Sequence, residues 1–255
     1  LTGHDPDFHA QPGYGSPGAQ NLLKEGLRFV TGGTYNDSNP LTPKFLWVES
    51  RIAPPGGHLI GENGLGAIGL TLGTHYDRAN AAEFGSVTLS NYSAIAIASS
   101  FGGLLTRAEL DALIARKTDI ENFINAGGGL FASSECYPCG ANLLGPGSPA
   151  PQLFGYLPVT VTSIGASPPF TVTAYGAATH GLTNADMNDP THNSFGLVGG
   201  LSVVDTDSAG NATTLSGVVS VGGGGFTPVP EPATLLLLGA GLAGTAAMAR
   251  RRRRK

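Results

Sequence analysis

Residues 92–134 carry the pattern that most narrows what this chain can fold into. The apolar run at 92–100 is bounded by turn residues and is continuous enough for a strand buried on both faces. From 106 to 126 the apolar positions Leu110, Leu113, Ile114, Ile120, Phe123 and Ile124 recur at helical spacing. Thr106 stands three before Glu109 as a capping box, and Gly127 stops the helix. A second strand, 129–134, follows directly. Strand, helix, strand with a right-handed crossover predicts a doubly wound, mostly parallel α/β sheet.

The rest of the body fits that plan. The run 44–50 predicts another central strand, and 18–30 a helix around Leu22, Leu23, Leu27 and Phe29, with a weaker helix at 61–72. Strands are expected at 170–175 and 201–204, and a turn at 209–211 opens a C-terminal hairpin whose second strand covers 214–221. One α/β domain over residues 1–221 follows, then a Gly-rich linker at 222–228. Charged residues are only 13% of the chain and glycines number 39, so the surface is largely Gly, Ser, Thr and Asn, which suits an exported protein. Removing the six terminal cations from a formal charge of −4 leaves about −10, which argues against nucleic acid as a partner.

Residues 229–255 are different in kind. Val229, Pro230, Glu231 and Pro232 precede an uncharged run, 233–249, and then Arg250 to Arg254 and Lys255. The run is about 17 residues, roughly 25 Å as a helix, which is the short end of what spans a bilayer core. Cations after it stay on the cytoplasmic side, which puts the body outside the cytoplasm. Gly239, Gly241 and Gly244 spell a dinucleotide-binding pattern, but no strand precedes them, so they are read as small-residue packing in a membrane helix.

The order Val-Pro-Glu-Pro, short apolar run and arginine cluster resembles the PEP-CTERM sorting signal of exopolysaccharide-producing Gram-negative bacteria. The resemblance implies an exosortase-type membrane enzyme as partner, which cleaves near Pro230-Glu231-Pro232. It implies an inner-membrane stage and then release or re-attachment at the cell surface or extracellular matrix. It also implies a signal peptide, whereas this sequence opens on Leu1-Thr2-Gly3-His4, which reads as the last residues of a strand. Either a leader and the start of that strand precede Leu1, or the start is misplaced.

Residues 1–205 resemble the class I glutamine amidotransferase-like fold, in the broad sense that includes trehalose-utilisation-type proteins. The carrying segments are Leu1-Thr-Gly-His-Asp5, Asn91-Tyr-Ser-Ala-Ile-Ala-Ile-Ala-Ser-Ser100, Phe123-Ile-Asn-Ala-Gly-Gly-Gly-Leu-Phe131 and Thr179-His-Gly-Leu-Thr183. Catalytic members hold a Cys on a glycine-flanked turn and a His followed at two residues by Glu. Here Cys136 is flanked by Ser134 and Pro138, and His180 by Gly181 and Leu182, so neither the turn nor the orienting acid is encoded locally.

Other candidate chemistry is sparse. Cys136 and Cys139 are the only cysteines. Their spacing admits a redox motif or half a zinc site, and in an exported chain a local disulfide. His4, Asp5, Asp7 and His9 form the densest set of polar, metal-capable side chains, just past the first strand, where ligands bind in such sheets. His75 and Asp77 are expected to approach from the third strand, and His180, Asp186, Asp189 and His192 from later in the chain. These positions mark a candidate ligand crevice, with no metal or cofactor committed to it. The expected role is a non-catalytic binding or matrix role at the surface, with extracellular polysaccharide as a candidate partner. The competing reading is a hydrolase or amidase-like enzyme with a degenerate site near His4, His75, Cys136 and His180.

Overall fold

The computed structural model describes residues 1–11, 13–14, 17–33, 43–50, 61–100, 104–135, 152–188 and 191–219. The elements run α1 (Pro6–His9), α2 (Pro17–Val30), β1 (Phe45–Val48), α3 (Glu62–Ala67), β2 (Tyr76–Ala79), α4 (Ala81–Phe84), β3 (Ala94–Ile97), α5 (Arg107–Ala115), α6 (Lys117–Asn125), β4 (Gly129–Ala132), β5 (Val161–Ile164), β6 (Thr171–Val172), α7 (Ala174–His180), β7 (Ser194–Val198), β8 (Ser202–Thr206) and β9 (Ala212–Ser216). They form a mixed α/β body with two sheets, a parallel one in the order β2-β1-β3-β4 and an antiparallel one in the order β5-β7-β9-β8-β6.

The parallel sheet is covered on both faces, as its continuous apolar strands require. Leu46, Val48, Ile95 and Ile97 point to one side and pack with Leu110, Leu113, Ile120 and Phe123 of α5 and α6. Phe45, Trp47, Ala94 and Ala96 point to the other and pack with Leu23 and Leu27 of α2, Phe8 and Leu65. Residues 1–4 lie between the two sheets. On one side Thr2 N–H donates to Ala132 O (2.9 Å) and Ser134 N–H to His4 O (3.1 Å). On the other, Gly3 N–H donates to Thr213 O (2.7 Å) and Leu215 N–H to Leu1 O (2.8 Å). The opening residues are thus strand-like, and they tie the parallel sheet to β9.

Several expectations need correction. The antiparallel part is a five-stranded sheet, not a hairpin appended to a mostly parallel one. The β8–β9 hairpin is present, with Gly210 at φ 83° in its turn, but its second strand starts at Ala212 and ends at Ser216. The helix expected over 106–126 is two helices: the capping box of Thr106 and Glu109 opens α5, and Arg116 (φ −104°, ψ 20°) separates it from α6. The Arg116 side chain donates to Phe84 O (2.6 Å) and Val87 O (2.9 Å), drawing the junction onto the segment that follows α4. The strand expected over 170–175 is two residues long. Thr173 then accepts from Gly176 N–H and starts α7. The helix expected over 61–72 ends at Ala67, followed by Gly69 at φ 89°.

The closest approach of α2 to the sheet is at Gly129, where a Cβ would fall 1.9 Å from Val30 O. Gly129→Ala is expected to force these elements apart, lowering stability by about 1–3 kcal/mol. A midpoint unchanged in urea unfolding would show that α2 is not seated this tightly.

Among the described residues no helix is long and apolar enough to cross a membrane. The linker at 222–228, the sorting residues 229–232, the apolar run 233–249 and the basic end 250–255 all lie outside the described residues, as do Cys136 and Cys139.

Candidate functional site

The carboxyl ends of the parallel strands converge on buried polar side chains. β1 runs into Glu49, β3 into Ser99 and Ser100, and β4 into Ser133, Ser134 and Glu135, while residues 1–4 run into Asp5 and α1. Asp5, Asp7, Glu49, Ser99, Ser133, Ser134 and Glu135 are all at most 1% exposed, so each must find a polar partner or carry a desolvation cost. The chain segments that continue from β1, β3 and β4, at 51–60, 101–103 and 136–151, lie outside the described residues.

Asp7 Oδ2 accepts from Ser99 N–H (2.8 Å) and Ser99 Oγ–H (3.1 Å). Burial pushes its carboxyl up to about 7, with the Ser99 bonds opposing and the neighbouring Asp5 adding to the rise. Glu49 Oε2 accepts from Trp47 Nε1–H (3.0 Å) and Glu62 N–H (3.2 Å), and Arg78 lies 3.8 Å from its Oε1 while pairing with Glu62. Burial also pushes Glu49 up to about 7, against the Trp47 hydrogen bond. The two carboxyls both close on Gly61: a Cβ there would lie 3.1 Å from Asp7 Oδ2 and 3.2 Å from Glu49 Oε2, tighter than ordinary contact. Two acids held near neutrality can exchange protons with a bound polar group or hydrogen-bond its hydroxyls. Asp7 Oδ1, Glu49 Oε1, Ser133 Oγ and Ser134 Oγ are buried without a hydrogen-bond partner among the described residues.

The other predicted residues divide. Asp5 receives His192 Nε2 at 3.1 Å and His9 Nε2 at 3.6 Å, so Asp5, Asp7, His9 and His192 do share this edge. His4 turns away from it. Its Nε2 lies 3.1 Å from Asp205 Oδ2 on β8 and its Nδ1 2.6 Å from Thr191 Oγ1, so it braces the antiparallel sheet against residues 1–4. His75 and Asp77 sit at the start of β2, at the opposite edge of the sheet. His75 Nδ1 accepts from Thr71 N–H (2.9 Å), and Asp77 pairs with Lys44 Nζ (2.6 Å) and accepts from Tyr92 Oη–H (3.3 Å). Asp186 accepts from Asn21 and from both the amide and hydroxyl of Thr183, and Asp189 lies outside the described residues.

His180 is also far from the carboxyl edge. Its Nδ1 lies 2.9 Å from Glu25 Oε1 on α2 and its Nε2 2.8 Å from Ser216 Oγ on β9, beside a cavity bounded by Gly127, Gly128 and Gly129 at the start of β4. Glu135, which precedes Cys136, is at the other end of that strand and accepts from Phe154 N–H and Tyr156 Oη–H, with burial raising its carboxyl to about 7. Cys136 itself lies outside the described residues. Among the described residues no group of three His, Cys, Asp or Glu is placed to hold a metal ion.

Sequence reasoning missed Glu49 and Glu135, although Glu49 is a lone acid directly after the apolar β1 and Glu135 follows β4 after two serines, which is a readable signal. It also missed Glu25 and Ser216, which nothing local distinguishes.

Residues 228–254 match the PEP-CTERM protein-sorting motif. No curated protein and no solved structure matches the chain. The sorting signal is therefore carried by a family match, and it implies export, sorting to the cell surface and an exosortase as the processing partner. No match carries the resemblance of the body to the glutamine amidotransferase-like fold.

Proposed function

We propose that this chain is an exported protein held transiently in the inner membrane by 233–249, with its arginines in the cytoplasm and its α/β body outside. An exosortase-type enzyme cuts near Pro230-Glu231-Pro232, and the body is released or re-attached at the cell surface. The single observation that supports this most is the sorting-motif match over residues 228–254. The acidic, charge-poor body ahead of a Gly-rich spacer suits departure from the membrane.

At the surface the body acts by binding. The carboxyl edge supports this reading: buried carboxyls at Asp7 and Glu49 and the hydroxyls of Ser133 and Ser134, which have no hydrogen-bond partner among the described residues, suit a polyhydroxylated ligand of the extracellular polysaccharide class. The glutamine amidotransferase-like alternative needs Cys136 and His180 together and lacks that support.

The sorting reading is tested by the triple variant Pro230→Ala, Glu231→Ala, Pro232→Ala. The variant is expected to remain full length in the inner membrane while the parent body reaches the surface. Identical mass and location for the two proteins would overturn it.

A further inference from the structure

The Glu25–His180–Ser216 contact brings together residues from α2, the last turn of α7 and the end of β9, which are far apart in sequence. Ser216 Oγ lies 2.8 Å from His180 Nε2, and His180 Nδ1 lies 2.9 Å from Glu25 Oε1. Two donors of Arg28 hold the Glu25 carboxylate, Nε to Oε2 at 2.5 Å and Nη2 to Oε1 at 2.7 Å. Although burial works to raise the Glu25 carboxyl, hydrogen bonds from His180 and Arg28 hold it below its ordinary value, so it is ionised at neutral pH. An anionic Glu25 can only accept, which places the imidazole proton on Nδ1 and leaves Nε2 free to accept from Ser216 Oγ–H. The imidazole plane is fixed by edge contacts with Phe29 (4.9 Å between centroids) and Tyr175 (5.7 Å).

All three side chains line one cavity of about 350 Å³, whose wall is otherwise mostly apolar, with Leu22, Phe29, Ile124, Leu157, Leu182 and Leu201. A bracing contact would need only a hydrogen-bonded His. The order carboxylate, imidazole, hydroxyl, with the hydroxyl facing an apolar cavity, is the arrangement that activates a serine.

We propose that Ser216, His180 and Glu25 are nucleophile, general base and positioning residue of a hydrolytic site for carboxylic esters with an apolar acyl chain, which the cavity holds. Ser216 Oγ bonds to the acyl carbon as its proton passes to His180 Nε2. The ester C–O bond breaks and the alcohol leaves with that proton. Water then gives a proton to His180 and its oxygen to the acyl carbon, releasing the acid as the proton returns to Ser216. Glu25 stabilises the imidazolium in both halves. Tyr175 Oη lies 3.0 Å from Ser216 Oγ, beside the attacking oxygen. This site is separate from the carboxyl edge and does not depend on the sorting reading.

The test uses the full chain in nanodiscs, p-nitrophenyl esters of increasing acyl length and a fluorophosphonate probe. Hydrolysis is expected, with the probe attached to Ser216 in the peptide mass map. Ser216→Ala and His180→Gln should each lower kcat/KM by about 10³-fold or more. Glu25→Gln should lower kcat more than it raises KM and shift the acid limb of the pH profile, which a merely structural role would not do. Should a variant fail to fold, the adduct on the unaltered protein decides. No hydrolysis at any acyl length together with an unmodified Ser216 would overturn the proposal.

Discussion

Trp47→Ala lowers the unfolding free energy by about 3–5 kcal/mol, the range for removing a fully buried large aromatic. Trp47 is 0% exposed on β1, which pairs with both β2 and β3, and it packs with Phe8, Leu23, Leu27 and Leu65 from α1, α2 and α3. Its loss opens a cavity under three helices. It also removes the Nε1 donor from Glu49, a buried carboxyl that among the described residues keeps only the Glu62 amide as a hydrogen-bond donor to Oε2. Trp47→Phe separates the two effects: it restores most of the packing and leaves about 1–3 kcal/mol for the unsatisfied acceptor. Urea unfolding followed by circular dichroism measures both, since Trp47 is the only tryptophan. A loss under about 1 kcal/mol for the alanine variant would mean that β1 is not the buried centre of the sheet.

Stability is expected to fall as pH rises through the weakly acidic range. Burial pushes Asp7, Glu49 and Glu135 each up to about 7 in the folded protein, whereas in the unfolded chain such groups titrate near about 4. Between these values the native state holds protons that the unfolded chain has released. The contribution of these groups is therefore fully present below about pH 4, lost as pH rises to about 7, and flat above. Glu25, Asp186 and Asp207 work in the other direction, because hydrogen bonds outweigh the burial that would raise them and hold their folded values low. Their contribution is present above about pH 4 and lost below it. These raised carboxyls should thus favour pH 5 over pH 8 by on the order of a few kcal/mol, opposed in part by the buried Leu1 amine, which burial lowers to about 5. Glu135→Gln, Asp7→Asn and Glu49→Gln should each shrink that difference. The fluorescence of Trp47 during urea unfolding at the two pH values reads it, and equal or greater stability at pH 8 would contradict the burial of these acids.

What the sequence made legible was local. β1 and β3 are four-residue runs with every residue buried, so a continuous apolar stretch identified them. The capping box of Thr106 and Glu109 was readable for the same reason, as it spans one turn. The break at Arg116 was not, because it is tied to the carbonyls of Phe84 and Val87, about thirty residues earlier. At 170–175 the alternation read as strand, but the Thr173 hydroxyl also caps a helix, and the backbone took the second option. His4 and Asp5 are neighbours in sequence yet face different structures, Asp205 and Thr191 for one and His9 and His192 for the other. Glu25, His180 and Ser216 meet only through the folding of α2, α7 and β9. The sorting signal was fully readable because proline punctuation, apolar run and arginine cluster act through their order along the chain.

The central claim is that this chain is delivered by its tail and then parted from it, and the intact mass of the body recovered from the cell surface tests that most directly. The expected mass ends close to Pro230-Glu231-Pro232, without the apolar run and the arginines. A surface protein whose mass extends through Lys255, or a body found only in the inner membrane at full length, would contradict it.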